Sequence, residues 1–198
     1  MNEALPTIAT ETCDHELMAR LANGDDPALN ALMRRWSNRI VSFLYRMTGR
    51  HDAAVDLAQE TFVKLYQARD RYRADGNFST YLFAIASNLA KNHTRWRMRH
   101  PTVSLDASPD DSTGPALQLV DPQSDPGETA QKMEQMAAVA AAFRVLPPDL
   151  REAMSLFIYE GMGYAEIGVL MGCSAKAVET RIYRARQILK EQLKGIRS

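Results

Sequence analysis

The chain has 198 residues, of which 45% are hydrophobic and 24% charged, and its formal net charge is zero. This length suits one medium domain or two small ones, and the apolar fraction is sufficient for a packed core. Cys13 and Cys173 lie far apart and the four histidines lack ligand spacing, so we expect neither a disulfide framework nor a metal site. Because the sequence has neither a basic start nor a long apolar run, we also expect no signal peptide, no membrane insertion and a cytoplasmic location.

Helical spacing of apolar residues, with turn signals between the runs, predicts four helices in the first half of the chain. In the second of these helices, Leu32, Trp36, Ile40 and Phe43 recur on one face. The predicted helices span residues 14–23, 27–48, 52–69 and 79–100, with Asp14, Asp52 and Ser79 as the N-terminal caps of the first, third and fourth.

Composition changes sharply at residues 100–127, where prolines occur among aspartate, serine and glycine. This segment has too little apolar surface to offset the entropy of ordering it, so we expect a flexible linker between a domain of residues 14–99 and one of residues 128–194. Further helices are predicted over residues 128–145, 150–160, 164–171 and 175–193. No strand alternation is present, so the predicted fold class is all-α, with two small helical domains.

The zero net charge hides a segregation of charge along the chain. Residues 90–99 are basic without an acid, residues 104–128 are acidic without a base, and residues 176–197 are mostly basic. Two basic blocks that flank an acidic one indicate a nucleic-acid partner despite the neutral total.

The strongest local signal runs from Tyr164 to Leu189, where a short helix, a glycine turn and a long helix follow one another. This order is typical of a helix-turn-helix, in which Gly172 supplies left-handed backbone and Ser174 caps the second helix. The outer face of that helix carries donors and an aromatic ring suited to the major groove of double-stranded DNA. The alternative is an ordinary helical hairpin with a solvated face. The residues of the outer face are Lys176, Thr180, Tyr183 and Arg184.

A second signal is FSTYLFAIASNLAKNHTRWRMR at residues 78–99, where aromatic residues interleave with Lys, Arg, Asn and His. Aromatic rings can stack on unpaired bases while the cations follow the backbone, so the segment favours single-stranded nucleic acid. The amides of Asn88 and Asn92 can read an extruded base edge. The alternative is that one or two of the aromatic residues belong to the core.

A third signal is DLAQETF at residues 56–62. With the apolar residues turned inward, Asp56, Gln59 and Glu60 form an acidic and amide patch that can dock on a basic helix of a partner, although the pattern alone favours a merely solvated face. No glycine-rich phosphate loop, nucleophile elbow or HExxH motif occurs, so we expect neither an enzyme nor a cofactor.

Together these segments resemble bacterial RNA polymerase sigma factors, with residues 29–99 similar to region 2 and residues 128–193 similar to region 4. The absence of a region 3 between them is similar to the extracytoplasmic-function (ECF) subfamily. The matching motifs are DLAQETF at 56–62, FSTYLFAIASN at 78–88, LPPDLREA at 146–153, YAEIGVLMG at 164–172 and VETRIYRAR at 178–186.

The resemblance implies that the chain binds core RNA polymerase, directs it to promoters and is held inactive by an anti-sigma partner until a signal arrives. It implies contact with the clamp coiled coil of the largest polymerase subunit through Asp56, Gln59, Glu60 and Phe62. It implies contact with the single-stranded −10 element through Asn88, Lys91, Asn92, Arg95 and Arg97. It implies contact with the double-stranded −35 element through Lys176, Glu179, Thr180, Tyr183 and Arg184.

Two of these positions depart from the family pattern. Asn92 replaces the usual acidic residue, and Glu179 lies where many relatives carry a basic residue. Glu179 can accept from a cytosine amino group, or it can pair with Lys176 or Tyr183.

Two other functions remain open at this point. A stand-alone helix-turn-helix regulator that binds duplex DNA as a dimer explains the C-terminal motif, but it leaves residues 56–62 and 78–99 without a role. A helical adaptor that binds only proteins is the third hypothesis.

Overall fold

The structure, a computed structural model, describes residues 13–100 and 137–194. Every regular element in these two ranges is helical, as the periodicity predicts. The N-terminal lobe contains α1 (Asp14–Ala22), α2 (Pro27–Thr48), α3 (His51–Gln67), a 3-10 turn (Arg69–Arg71) and α4 (Phe78–Arg99). The C-terminal lobe contains α5 (residues 137–145), α6 (Pro148–Glu160), α7 (Tyr164–Met171) and α8 (Ala175–Gln192).

The N-terminal lobe is organised around α2, which packs against α1, α3 and α4. Pro27 lies in its first turn, where a missing N–H leaves no hydrogen bond unmade, and Gly49 ends the helix with a φ of 72°. Between them, the buried face brings Phe43 edge-on to Phe83 of α4, with 5.3 Å between the ring centroids. The apolar stripe of α2 therefore fixes where α4 lies.

The predicted N-caps of α1, α3 and α4 are wrong by one or two residues. The observed N-caps are Cys13, Arg50 and Asn77. Phe78 is buried, and it reaches the core because the helix begins one residue before Ser79. Asp52 lies inside the first turn of α3, where it accepts a hydrogen bond from Arg50 that lowers the pKa of its carboxyl to about 2.

The helix-turn-helix is confirmed in detail. Gly172 ends α7 with a φ of 65°, and the Ser174 hydroxyl accepts a hydrogen bond from the Ala177 N–H at 3.2 Å. Gly168 lies so close to the turn that a Cβ built on it would be 2.7 Å from the Cys173 carbonyl oxygen. The backbone of α7 and the turn therefore pack directly together and set the direction in which α8 leaves.

The two lobes pack against each other, a contact that the sequence analysis did not anticipate. Helix α6 lies against α2, and α7 lies against α4. Buried residues of both lobes join one hydrophobic cluster. Apart from His100, the expected linker at 100–127 lies outside the described residues, as does the first half of the helix expected at 128–145.

Candidate nucleic-acid and partner interfaces

The outer face of α8 is open to solvent. The helix is held by the buried side chains of Val178, Ile182, Ala185 and Leu189 on its opposite face. All five residues implied for the −35 element are exposed, and they lie together along the outer face. They are Lys176, Glu179, Thr180, Tyr183 and Arg184.

One of these side chains has a partner in the protein that bears on its role. Glu179 accepts from the Lys176 ammonium at 2.8 Å, so the pairing with Lys176 is the one present in the free protein. The Tyr183 ring is 64% exposed and offers both a flat surface and a hydroxyl. The face therefore combines one neutralised pair with an aromatic ring and the Arg184 cation.

Two other arginines of α8 support the lobe instead. Arg181 lies 3.6 Å from the Asp149 carboxylate and donates to the Cys173 thiol at 2.8 Å. The Arg186 guanidinium lies 5.3 Å from the centroid of the Phe157 ring. The sequence pattern places Arg184 on the outer face, and these contacts show that Arg181 and Arg186 are engaged within the lobe.

The polar residues implied for the −10 element lie along the second half of α4. Asn88, Asn92 and Arg95 are exposed at a spacing that places them on one stripe, whereas Arg97 is exposed on the opposite side of the helix. Lys91 differs because its ammonium lies 2.9 Å from the buried Glu152 carboxylate of α6. The structure thus leaves four of the five open and engages the fifth.

The aromatic residues of α4 separate into core and surface. Phe78 and Phe83 are buried, so they cannot stack on bases in this fold. Tyr81 is half-buried, and burial raises the pKa of its hydroxyl. Trp96 is 50% exposed and stacks on the His100 ring with 5.0 Å between centroids. Trp96 is therefore the aromatic residue of this helix best placed to meet an unpaired base.

A cleft of about 870 Å³ separates the end of α4 from the start of α6. Burial, together with the nearby Arg97 and Arg50 guanidinium groups, lowers the pKa of His93 in this cleft below its usual value. The sequence could not reveal the cleft, because one of its walls comes from the other lobe. Its cationic lining consists of Lys91, Arg95, Arg97 and Arg151.

The exposed side of α3 carries Asp56, Gln59 and Glu60 as predicted. The expected polymerase contact through Phe62 is corrected by the structure. Phe62 is 4% exposed and packs in the core, so it cannot itself touch a partner. Val63, which the sequence analysis missed, is 53% exposed and lies on the same side as Gln59 and Glu60. An apolar residue beside acids and an amide is suited to a basic partner surface with some apolar area.

Within the described ranges, no helix combines the length and hydropathy needed to span a bilayer. In the same part of the chain, no three His, Cys, Asp or Glu side chains group in a way that could hold a metal ion.

Comparison with known proteins shows similarity over both lobes. Residues 32–100 match the family model for Sigma-70 region 2, and residues 136–189 match that for Sigma-70 region 4. The chain is 32% identical to the RNA polymerase sigma-H factor of Pseudomonas aeruginosa over 96% of its length and 98% of the relative. It is 33% identical to the ECF RNA polymerase sigma-E factor of Escherichia coli, again over 96% and 98% of the two chains.

Solved structures show the same fold. CnrH, in complex with the cytosolic domain of CnrY, superposes with a TM-score of 0.65 at 23% identity, covering 92% of this chain and 97% of CnrH. The sigma factor RpoE of Bartonella quintana, in complex with the anti-sigma factor NepR, gives a TM-score of 0.63 at 21% identity over 83% and 96% of the two chains. The chain therefore belongs to the ECF subfamily of bacterial RNA polymerase sigma factors.

Proposed function

We propose that this sigma factor docks on core RNA polymerase through the exposed side of α3 and reads promoters with two separate helices. The α8 face contacts the duplex −35 element, and the α4 stripe contacts the melted −10 strand. The observation that carries the proposal is that each lobe exposes its own cationic helix face, with an aromatic residue at its surface. Cations hold the phosphate backbone, while amides and rings discriminate bases.

The proposal divides the chain into a region 2 domain at residues 14–99, a linker at 100–127 and a region 4 domain at 128–194. Each lobe offers a small site, so we expect weak promoter binding by the free chain. Polymerase would hold both sites at promoter spacing and raise their effective concentration.

We also propose that an anti-sigma factor controls this chain. Two proteins with the same fold were solved with partners bound: RpoE with the anti-sigma factor NepR, and CnrH with the cytosolic domain of CnrY. We expect the complex with the anti-sigma factor to form in the cytoplasm, where the polymerase is, and to require no catalysis by the sigma factor itself.

Charge reversal on α3 tests the docking face. Asp56→Arg should lower affinity for core polymerase by about tenfold or more, since like charges across an interface cost several kcal/mol. The matched control is Asp75→Arg, because Asp75 is an exposed acid of the loop before α4 and lies off this face. Both variants should keep the helical content of the parent, as read by circular dichroism.

Fluorescence anisotropy with labelled sigma factor and purified core gives both affinities. Equal binding by Asp56→Arg and the parent would show that α3 is not the docking face. Tight binding of a duplex operator by the free chain, with no binding to core, would favour a stand-alone regulator instead.

A further inference from the structure

Glu152 of α6 is a buried carboxylate whose partners lie on the other lobe. It is 1% exposed, and one carboxylate oxygen lies 2.9 Å from the Lys91 ammonium. The same oxygen accepts a hydrogen bond from the Ser87 hydroxyl, also on α4. A buried ionised carboxylate is costly unless it is paired and hydrogen-bonded, and Lys91 and Ser87 can act only while the lobes are in contact.

Glu160, the last residue of α6, makes a similar contact with α2. Its side chain is 3% exposed and lies 2.9 Å from the Arg39 guanidinium and 3.1 Å from that of Arg46. An acid at the C-terminal end of a helix is disfavoured by the helix dipole. Glu160 is therefore poorly placed for its own helix and well placed for the two arginines across the lobe boundary.

The two acids act from one helix on two others. They are separated by eight residues of α6, about 12 Å along its axis and about 80° around it, so each can face a different helix of the other lobe. Glu152 reaches α4 and Glu160 reaches α2. Because these partners are ionic, the two pairs can be exchanged for other charged groups more readily than the apolar contacts between the lobes can.

We propose that Glu152 and Glu160 form an ionic latch that holds the free protein closed and masks Lys91, one of the residues implied for the −10 element. Phosphates of the melted promoter strand compete with the Glu152 carboxylate for Lys91, so DNA binding opens this part of the latch. The masking part of this inference rests on the proposed function, since that function gives Lys91 its contact with DNA.

The latch would act selectively. The extensive contacts between the lobes join α2 with α6 and α4 with α7. The exposed acids of α3 and the outer face of α8 take no part in the pairs that Glu152 and Glu160 make. Polymerase docking and −35 binding therefore remain possible in the closed state, while Lys91 is engaged by Glu152.

The double variant Glu152→Gln/Glu160→Gln keeps the shape of both side chains and removes their charge. Spin labels on Cys13 and Cys173, one in each lobe, report the distance between the lobes. We expect a longer and broader distance distribution than in the parent. The matched control is Glu16→Gln/Glu191→Gln, which removes the same charge from exposed positions on α1 and α8 and should leave the distribution unchanged.

Binding of a labelled single-stranded DNA oligonucleotide of mixed sequence tests the masking. If the closed form holds about nine-tenths of the molecules, the double variant should bind about tenfold more tightly than the control, because apparent affinity scales with the open fraction. Affinity for a duplex of mixed sequence should match that of the control. Arg39→Gln, which removes one partner of Glu160, should shift the distance between the lobes in the same direction. It serves as the test if the double variant fails to fold.

An unchanged distance in both the double variant and Arg39→Gln would overturn the latch. An increased distance with unchanged single-strand affinity would overturn the masking of Lys91. Run-off transcription by the parent with core polymerase separates this result from the proposed function. A parent that fails to initiate refutes the proposed function, whereas the distance measurement on the free chain still decides the latch.

Discussion

Replacing Gly168 by alanine tests whether the close approach of α7 to its following turn positions the recognition helix. The new Cβ would lie 2.7 Å from the Cys173 carbonyl oxygen. The usual separation of such atoms is about 3.3 Å or more, so the overlap is about 0.6 Å. The obstructing atom belongs to the backbone and cannot rotate away. Overpacking of this kind costs about 2–3 kcal/mol, and the better helix propensity of alanine returns about 1 kcal/mol.

The expected net loss is therefore about 1–2 kcal/mol, concentrated in the C-terminal lobe. Urea unfolding followed by circular dichroism should show an earlier transition, and binding of −35 duplex should weaken as the turn shifts. Both tryptophans, Trp36 and Trp96, lie in the N-terminal lobe, so their fluorescence reports that lobe separately. The control is Gly76→Ala, where an added Cβ meets nothing within 4 Å. Equal unfolding and equal duplex affinity for Gly168→Ala and the parent would refute the reasoning.

Three further predictions concern the two DNA faces and the cleft. Arg184→Ala should weaken −35 duplex binding by about 1–3 kcal/mol, while Arg186→Ala, which removes a cation packed on a ring, should leave the sequence preference intact; equal competition profiles for both variants would contradict the assignment. Trp96→Ala should lower single-stranded −10 affinity by about 1–3 kcal/mol without affecting the duplex, as measured by anisotropy. Because burial and Arg97 lower the pKa of His93, its contribution to stability is complete above about pH 6.5 and is lost as the pH falls. His93→Gln should reduce this acid sensitivity in urea titrations, and an unchanged pH profile would exclude the role.

Sequence periodicity predicts the helices well because the buried stripe is itself what stabilises each helix. The ends are most accurate where glycine takes a positive φ, at Gly49, Gly161 and Gly172, since other residues rarely adopt that backbone. The N-caps are less accurate, because a helix begins where a core residue such as Phe78 must be placed. The local preference of Ser79 is then overridden by packing.

The candidate interfaces were predictable only in part. Spacing alone places Phe62 on the buried stripe with Ala58 and Leu65, and the same argument would have removed it from the docking face. The roles of Glu152 and Glu160 were invisible, because their partners are distant in sequence. On an isolated helix both acids have the pattern of ordinary solvated charges.

The pairs across the lobe boundary also limit how freely such proteins can exchange their halves. A chimera that joins this N-terminal lobe to the C-terminal lobe of another sigma factor would keep the core contacts within each lobe. It would nevertheless lose the match between Lys91 and Glu152 unless the donor carried an acid at the equivalent position. Designs that exchange promoter specificity between sigma factors should therefore move the α6 acids together with the recognition helix. In natural relatives, the positions of Lys91 and Glu152 should vary in concert.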